Sequence, residues 1–259
     1  MADPAAPIKL QMRNVHKSYR ADQAFLPVLD GIDLVAHEGE FVSVIGPSGC
    51  GKSTLLEVVA GLQSPDEGDV LVDGIPSAGA KSAYMPQKDL LFPWRRVIDN
   101  VTLGLEVAGV RRAEARQKVA PLLEAFGLAG FESSYPFQLS GGMRQRAALL
   151  RTVVQERSLL LLDEPLGALD SLTRTEMQVW LESVWGRYRW TVLLVTHDIR
   201  EAVYLSDTVY VLSGRPARVI AQVDVGLPRP RSVGMIASPA TAELEGRLLA
   251  SLQEGKLHR

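Results

Sequence analysis

Nine residues concentrate much of the chemistry this chain could do: GPSGCGKST, at 46–54. They follow the apolar run FVSVIG and lead into KSTLLEVVAGL, whose apolar residues recur at helical spacing up to Gly61, a plausible helix cap. A loop of the pattern G-x-x-x-x-G-K-[ST] between a strand and a helix is a seat for phosphate oxygens. Gly46, Gly49 and Gly51 let backbone N–H groups curl around the anion, and the helix start adds positive potential. Lys52 reaches the β and γ phosphates, and Ser53 supplies a ligand to magnesium. Pro47, Ser48, Cys50 and Thr54 belong to the same loop and count with it as nucleotide-binding positions.

Two carboxylates stand where they could complete that site. Asp163 ends LLLLD, an unbroken apolar run expected of a strand buried on both faces, which places it at the carboxyl edge of the sheet beside the phosphate loop. It can hold magnesium there through water. Glu164, one residue on, is placed to orient or deprotonate an attacking water. His197 follows a second apolar run, TVLLVTHD, in the same way. A further anion seat lies in YPFQLSGGMRQR, where Ser140, Gly141 and Gly142 open a helix carrying Arg144 and Arg146. One chain therefore holds two such seats.

The elements that must position these residues read as follows. IKLQMRNVHKSY and VLDGIDLVAHEGE alternate apolar and polar residues around Asp-Gly and Glu-Gly, the mark of antiparallel strands. VLVDG and SAYMPQ are further strands. From Val97 to about Gln155 the spacing turns helical. TRTEMQVWLESVWGRY, between LLLLD and TVLLVTHD, reads as the crossover helix of a βαβ unit with a parallel sheet. Two short strands follow Asp207, then the Pro/Arg-rich link LPRPRS and a last helix, TAELEGRLLASLQ. Arg229 and Arg231 in that link read as solvated and receive no function.

The fold expected is α/β: one domain over 1–259, with a mostly parallel core and antiparallel β part at about 1–95 and 156–225, a helical part at about 96–155, and a terminal link and helix at about 226–259. Apolar residues at 46%, 28 basic against 30 acidic residues and a net charge of −2 suit an ordinary globular protein and argue against nucleic acid as main partner. No apolar run approaches the roughly 18 residues of a membrane-spanning helix, and MADPAAPIKL lacks the pattern of a secretory signal, so a cytosolic location is expected. A single cysteine, Cys50, allows no disulfide within the chain.

Taken in order, GPSGCGKST, Gln87, LSGGM, LLLLDEP, GALD and His197 resemble the nucleotide-binding subunit of an ATP-binding cassette transporter, over nearly the whole chain. The resemblance implies a cassette ATPase fold, ATP and Mg²⁺ as ligands, and ATP hydrolysis coupled to transport. It makes Gln87 the glutamine that touches magnesium and the lytic water, Tyr19 the ring that stacks on adenine, Asp170 the aspartate of the loop following the catalytic strand, and His197 the histidine on the γ-phosphate. It also implies that LSGGM of one subunit caps the nucleotide held by the phosphate loop of another, head to tail, so both anion seats serve one site; Cys50 would then lie opposite Ser140 across that interface, its thiol open to cross-linking. Met143 stands where the family's motif has glutamine, and no side-chain contact is carried over for it.

LLFPWRRVIDNVTLGLE, YPFQLSGGMRQR, EPLGALDSLTRTEMQ and VTHDIREAV are similar to importer ATPases of the nitrate, sulfonate and taurine group, whose relatives also carry thiamine precursors. The partners this implies are a second ATPase subunit forming a homodimer, membrane permease subunits that dock at LLFPW (residues 90–94), and indirectly a solute-binding protein, with the chain held on the cytoplasmic face of the cell membrane. Two other readings use the same phosphate loop. A cassette protein acting on nucleic acid or ribosomes would carry long coiled-coil insertions or a second cassette, and neither is present. A phosphate-loop kinase would leave LSGGM and His197 without a task.

Overall fold

A computed structural model describes residues 6–21, 24–79 and 82–257. β1 (Ile8–Ala21) and β2 (Ala24–His37) pair antiparallel, from Ile8 opposite His37 to Ala21 opposite Ala24. β3 (Phe41–Ile45) is buried at every residue and runs straight into the glycine loop and α1 (Lys52–Val59). Gly61 ends that helix at φ +71, where a Cβ would also stand 2.7 Å from the Ser77 carbonyl, so both the turn and the close approach require glycine. β4 (Glu67–Val72) returns to β1 and β5 (Ile75–Pro76) closes on β4, giving an antiparallel sheet in the order β2-β1-β4-β5.

β6 (Ser82–Met85) begins the other sheet's far edge. The helices α2 (Val97–Val101), α3 (Leu103–Val107), α4 (Arg112–Ala125) and α5 (Gly141–Val153) come next, before the chain re-enters the sheet as β7 (Leu159–Asp163). α6 (Ser171–Tyr188) crosses over to β8 (Thr191–Thr196), which lies parallel beside β7 as the apolar runs require. α7 (Ile199–Leu205), β9 (Thr208–Leu212), β10 (Val219–Asp224) and α8 (Pro239–Leu257) complete the chain. The six-stranded order is β10-β9-β3-β8-β7-β6, parallel except for β10.

The period-2 geometry of β7 and β8 explains their unbroken hydrophobicity. Leu160, Leu162, Val192 and Leu194 face a core shared with α2, α4, α5 and α6, while Leu159, Leu161, Leu193 and Val195 face one shared with α1 and the antiparallel sheet. A third core packs α7 and α8 against β9 and β10 through Val203, Val209, Val211 and Leu248.

The link LPRPRS departs from its reading as a solvated stretch. Arg231 is 4% exposed, and Arg229 is enclosed as well: its Nε donates to Asp207 Oδ1 at 3.0 Å, its Nη2 to the Leu205 carbonyl at 2.6 Å and its Nη1 to Glu182, with the guanidinium 3.9 Å over the Trp185 ring. Arg231 donates to the carbonyls of Val203 and Tyr204 at 3.1 and 2.8 Å. Burial, with Arg229 beside it, pulls the Arg231 guanidinium down to about 10. The reason lies elsewhere in the chain: Glu182 and Asp207 are buried carboxylates that need counter-charge, and the link supplies it.

Candidate functional site

β3 lies between β8 and β9, so the loop it feeds opens at the carboxyl edge of the parallel strands. Gly51 turns that loop into α1 at φ +126, with only 2.7 Å between a Cβ placed there and Val28 Cγ1. Lys52 folds back over the loop, its ammonium donating to the carbonyls of Gly46 and Pro47 at 2.9 and 3.0 Å. A cation held inside a ring of backbone groups at a helix start suits a phosphoryl anion.

Cys50 corrects one expectation. Its side chain is 1% exposed and packs in the core with Leu55 and Leu56, because it points inward from the loop, and burial pushes its thiol pKa up. The thiol is not offered to a facing subunit. Even its backbone N–H is engaged, donating to the Pro47 carbonyl at 3.2 Å.

Beside the loop, the Ser53 hydroxyl donates to Asp163 Oδ1 at 3.3 Å and the Tyr84 hydroxyl to Asp163 Oδ2 at 3.2 Å. Burial raises the Asp163 carboxyl above its ordinary pKa, with the two hydroxyls acting against that. Serine and aspartate oxygens next to a phosphate seat fit Mg²⁺, which takes few protein ligands and completes its shell with phosphate and water. Among the described residues no group of three or more His, Cys, Asp or Glu could hold a metal ion.

Glu164 takes φ +44, a backbone conformation uncommon outside glycine, and its N–H donates to the Val195 carbonyl at 2.8 Å. Its Oε2 accepts from Gln87 Nε2 at 3.1 Å and lies 3.1 Å from His197 Nδ1. Three residues separated widely in sequence thus meet on one carboxylate oxygen. They border a cleft of about 580 Å³ together with Tyr19, Ser48, Gly49, Gly51, Lys52, Ser53 and Thr54. That volume suits a nucleotide-sized ligand.

The second anion seat lies elsewhere. Ser140 caps α5, its hydroxyl accepting the Met143 N–H at 3.2 Å, and Asp170 caps α6, accepting the Thr173 N–H at 3.1 Å. Neither they nor Gly141 and Gly142 border the cleft that holds Lys52. Gly46, Pro47 and Asp163 do not border it either; Gly46 and Asp163 are buried, Asp163 at 4% exposed. Two residues were missed in the sequence. Tyr84 lies in SAYMPQ, where nothing marks its hydroxyl as Asp163's partner. Arg215, which borders the cleft, sits in the β9–β10 turn outside every motif. Another cavity, of about 320 Å³ beside His37 and Glu40, lies at the opposite end of β3, where Glu40 is taken up by the His37 N–H and the Thr208 hydroxyl.

Residues 29–167 match a family profile described as ABC transporter. The aliphatic sulfonates import ATP-binding protein SsuB 1 of Agrobacterium fabrum is 46% identical over 246 residues, covering 95% of this chain and 84% of that protein. The formylaminopyrimidine import ATP-binding protein ThiZ of Halalkalibacterium halodurans is 46% identical over 199 residues, 77% of this chain and 78% of its own. Among solved structures, the dimeric post-hydrolysis form of the ATP-binding cassette MJ0796 bound to ADP and Pi superposes with a TM-score of 0.74 at 29% identity, over 85% of this chain and 100% of that one.

Proposed function

Because the chain belongs to the ABC transporter family, we propose that it is the ATP-hydrolysing subunit of an importer for a small organic solute, driving uptake through separate membrane subunits. The meeting of Gln87, Glu164 and His197 at the cleft that holds Lys52 carries this reading. The fold is that of an ABC ATPase, and the chain is an ATPase. Two relatives named for import of aliphatic sulfonates and of formylaminopyrimidine support import of a small organic solute.

In this mechanism Lys52 and the loop amides bind the β and γ phosphates, and Tyr19 stacks on adenine. Ser53 and Asp163, with Gln87, would hold Mg²⁺, which neutralises phosphate charge when bound. Glu164 takes a proton from, or orients, the attacking water. It is already fixed by its backbone and by Gln87, so little reorganisation remains at the moment of reaction. His197 contacts the γ-phosphate end.

Ser140, Gly141, Gly142 and Asp170 lie off this cleft and, in this reading, serve the nucleotide of a second, head-to-tail subunit; the similar cassette described as dimeric and bound to ADP and Pi supports pairing of two chains. Leu90 and Trp94, 56% and 71% exposed, form the docking site for a permease helix and hold the chain on the cytoplasmic face of the membrane. Among the described residues no helix is long and apolar enough to cross a membrane. A solute-binding protein acts on the far side, and nucleic acid has no part. The test is phosphate release from Mg-ATP by the purified chain and its Glu164→Gln variant, followed by uptake assays with its permease and an aliphatic sulfonate; absence of ATP hydrolysis in the wild type would end the proposal.

A further inference from the structure

Arg215 stands on the turn between β9 and β10, yet its guanidinium reaches the apex of the glycine loop. Its Nε and Nη2 donate to the Gly49 carbonyl at 3.1 and 2.7 Å. Two donors of one planar fork on a single backbone oxygen restrict that oxygen more than a lone donor does.

The turn that carries the fork is itself pinned from two sides. Toward β2, the Ala217 N–H donates to the Val28 carbonyl at 2.8 Å and the Asp30 N–H to the Ala217 carbonyl at 2.9 Å, while Arg218 Nε donates to Asp30 Oδ2 at 2.8 Å. Within the turn, Ser213 Oγ accepts the Arg218 N–H at 2.9 Å and the Ser213 N–H donates to the Arg218 carbonyl at 3.0 Å. Arg215 is therefore presented from a rigid base.

What it holds needs holding. Gly49, at φ +73, has no side chain to pack, and glycine loses more freedom on ordering than any other residue. A loop that must present several N–H groups to an anion at once binds weakly if that ordering is left to the binding step. Lys52 restrains the loop's start, through the carbonyls of Gly46 and Pro47, and the Cys50 N–H closes the turn onto the Pro47 carbonyl at 3.2 Å; neither engages the Gly49 carbonyl at the apex.

We infer that Arg215 is a positioning residue of the nucleotide site, an arm from a distant segment that holds the apex of the glycine loop in the conformation that receives phosphate. The inference rests on the nucleotide reading above. It gives the site a second basic residue, acting through Gly49 and drawn from outside the G-x-x-x-x-G-K-[ST] run.

Cys50 supplies the reporter, being the chain's one cysteine, next in sequence to Gly49 and buried while the apex is closed. Three variants, Arg215→Met, Arg215→Lys and Lys52→Ala, are compared with wild type for equilibrium binding of a fluorescent ATP analogue, for the rate of Cys50 alkylation by iodoacetamide without nucleotide, and for thermal unfolding. Arg215→Met is expected to weaken ATP binding about tenfold, the scale of one charge-assisted hydrogen bond. Alkylation should speed up several-fold while the unfolding midpoint stays near wild type. The sign of the alkylation change is diagnostic, because removing a nearby positive charge makes the thiol less acidic and by itself slows the reaction. Arg215→Lys, which keeps the charge but not the fork, should fall between the two, and it carries the test if the Met variant folds poorly.

Wild-type affinity and alkylation in both Arg215 variants overturn the inference, as does an affinity loss with unchanged or slowed alkylation, slowing being what loss of the charge alone produces. If Lys52→Ala abolishes binding while Arg215→Met does not alter it, this inference alone fails; if Lys52→Ala binds normally too, the nucleotide reading fails with it.

Discussion

Behind His197 lies a carboxyl group whose ionisation should set how the fold's stability responds to pH. Glu201 is 2% exposed; its Oε2 takes a hydrogen bond from the Thr196 hydroxyl, and its Oε1 has no partner among the described residues. Burial pushes its pKa from 4.5 to about 7, with Asp198 and Glu164 adding to the rise and the Thr196 hydroxyl and Arg174 opposing it. The native state thus holds a proton that the unfolded chain has released anywhere between those two values. Stability from this group is complete below pH 4.5 and is lost as pH rises through about 7. At 1.36 kcal/mol per pKa unit the total is about 3 kcal/mol. Glu201→Gln keeps the shape and an acceptor for Thr196 but cannot ionise. Urea unfolding of both proteins, followed by tryptophan fluorescence between pH 4.5 and 8, should show the variant gaining about 3 kcal/mol on wild type across that range, since other groups cancel in the difference. A difference between the two proteins that stays flat with pH would refute the reasoning.

The enclosed link gives a second expectation: Arg229→Ala strands Glu182 and Asp207 and should cost about 3–5 kcal/mol in urea unfolding, whereas a solvated arginine would cost nearly nothing. Lys52→Ala should weaken ATP binding and slow turnover together, because its charge meets phosphate in both ground and transition states; titration with a fluorescent ATP analogue and phosphate release separate the two. For the head-to-tail arrangement, the inward-facing Cys50 leaves Ser48, exposed in the cleft, as the better probe. In a Cys50→Ser background, Ser48→Cys with Ser140→Cys should give a covalent dimer on mild oxidation, seen on non-reducing gels, while each single-cysteine protein stays monomeric; a cross-link within one chain would place both anion seats in the same subunit.

How far these features could be read in advance depended on how local their causes are. The phosphate loop was legible because strand, glycines, lysine and helix lie within some twenty consecutive residues, and LLLLD and TVLLVTHD because a strand covered on both faces must be apolar throughout. The antiparallel pair β1 and β2 followed from alternation around the Asp-Gly and Glu-Gly pairs. Arg229 was misread because its counter-charges, Glu182 and Asp207, come from α6 and the residue before β9, and Arg231 because the carbonyls it reaches, of Val203 and Tyr204, lie in α7; nothing near LPRPRS announces them. Cys50 was placed in the loop but not in its direction, since which way a side chain leaves a glycine turn depends on Gly49 and Gly51 taking positive φ. Arg215 and Tyr84 stayed hidden for a related reason: each reaches the site through strand order, β9 beside β3 and β6 beside β7, and strand order is not written in any short motif.

The most direct test of the account is single-turnover and steady-state ATP hydrolysis by Glu164→Gln beside an ATP-binding titration of the same protein. Glutamine keeps the size of the side chain and a polar contact for Gln87 but cannot take a proton. The account predicts near-normal Mg-ATP affinity, hydrolysis lowered by roughly 10²-fold or more, and an ATP-dependent dimer visible in sedimentation. Hydrolysis close to the wild-type rate in that variant, with affinity intact, would contradict it.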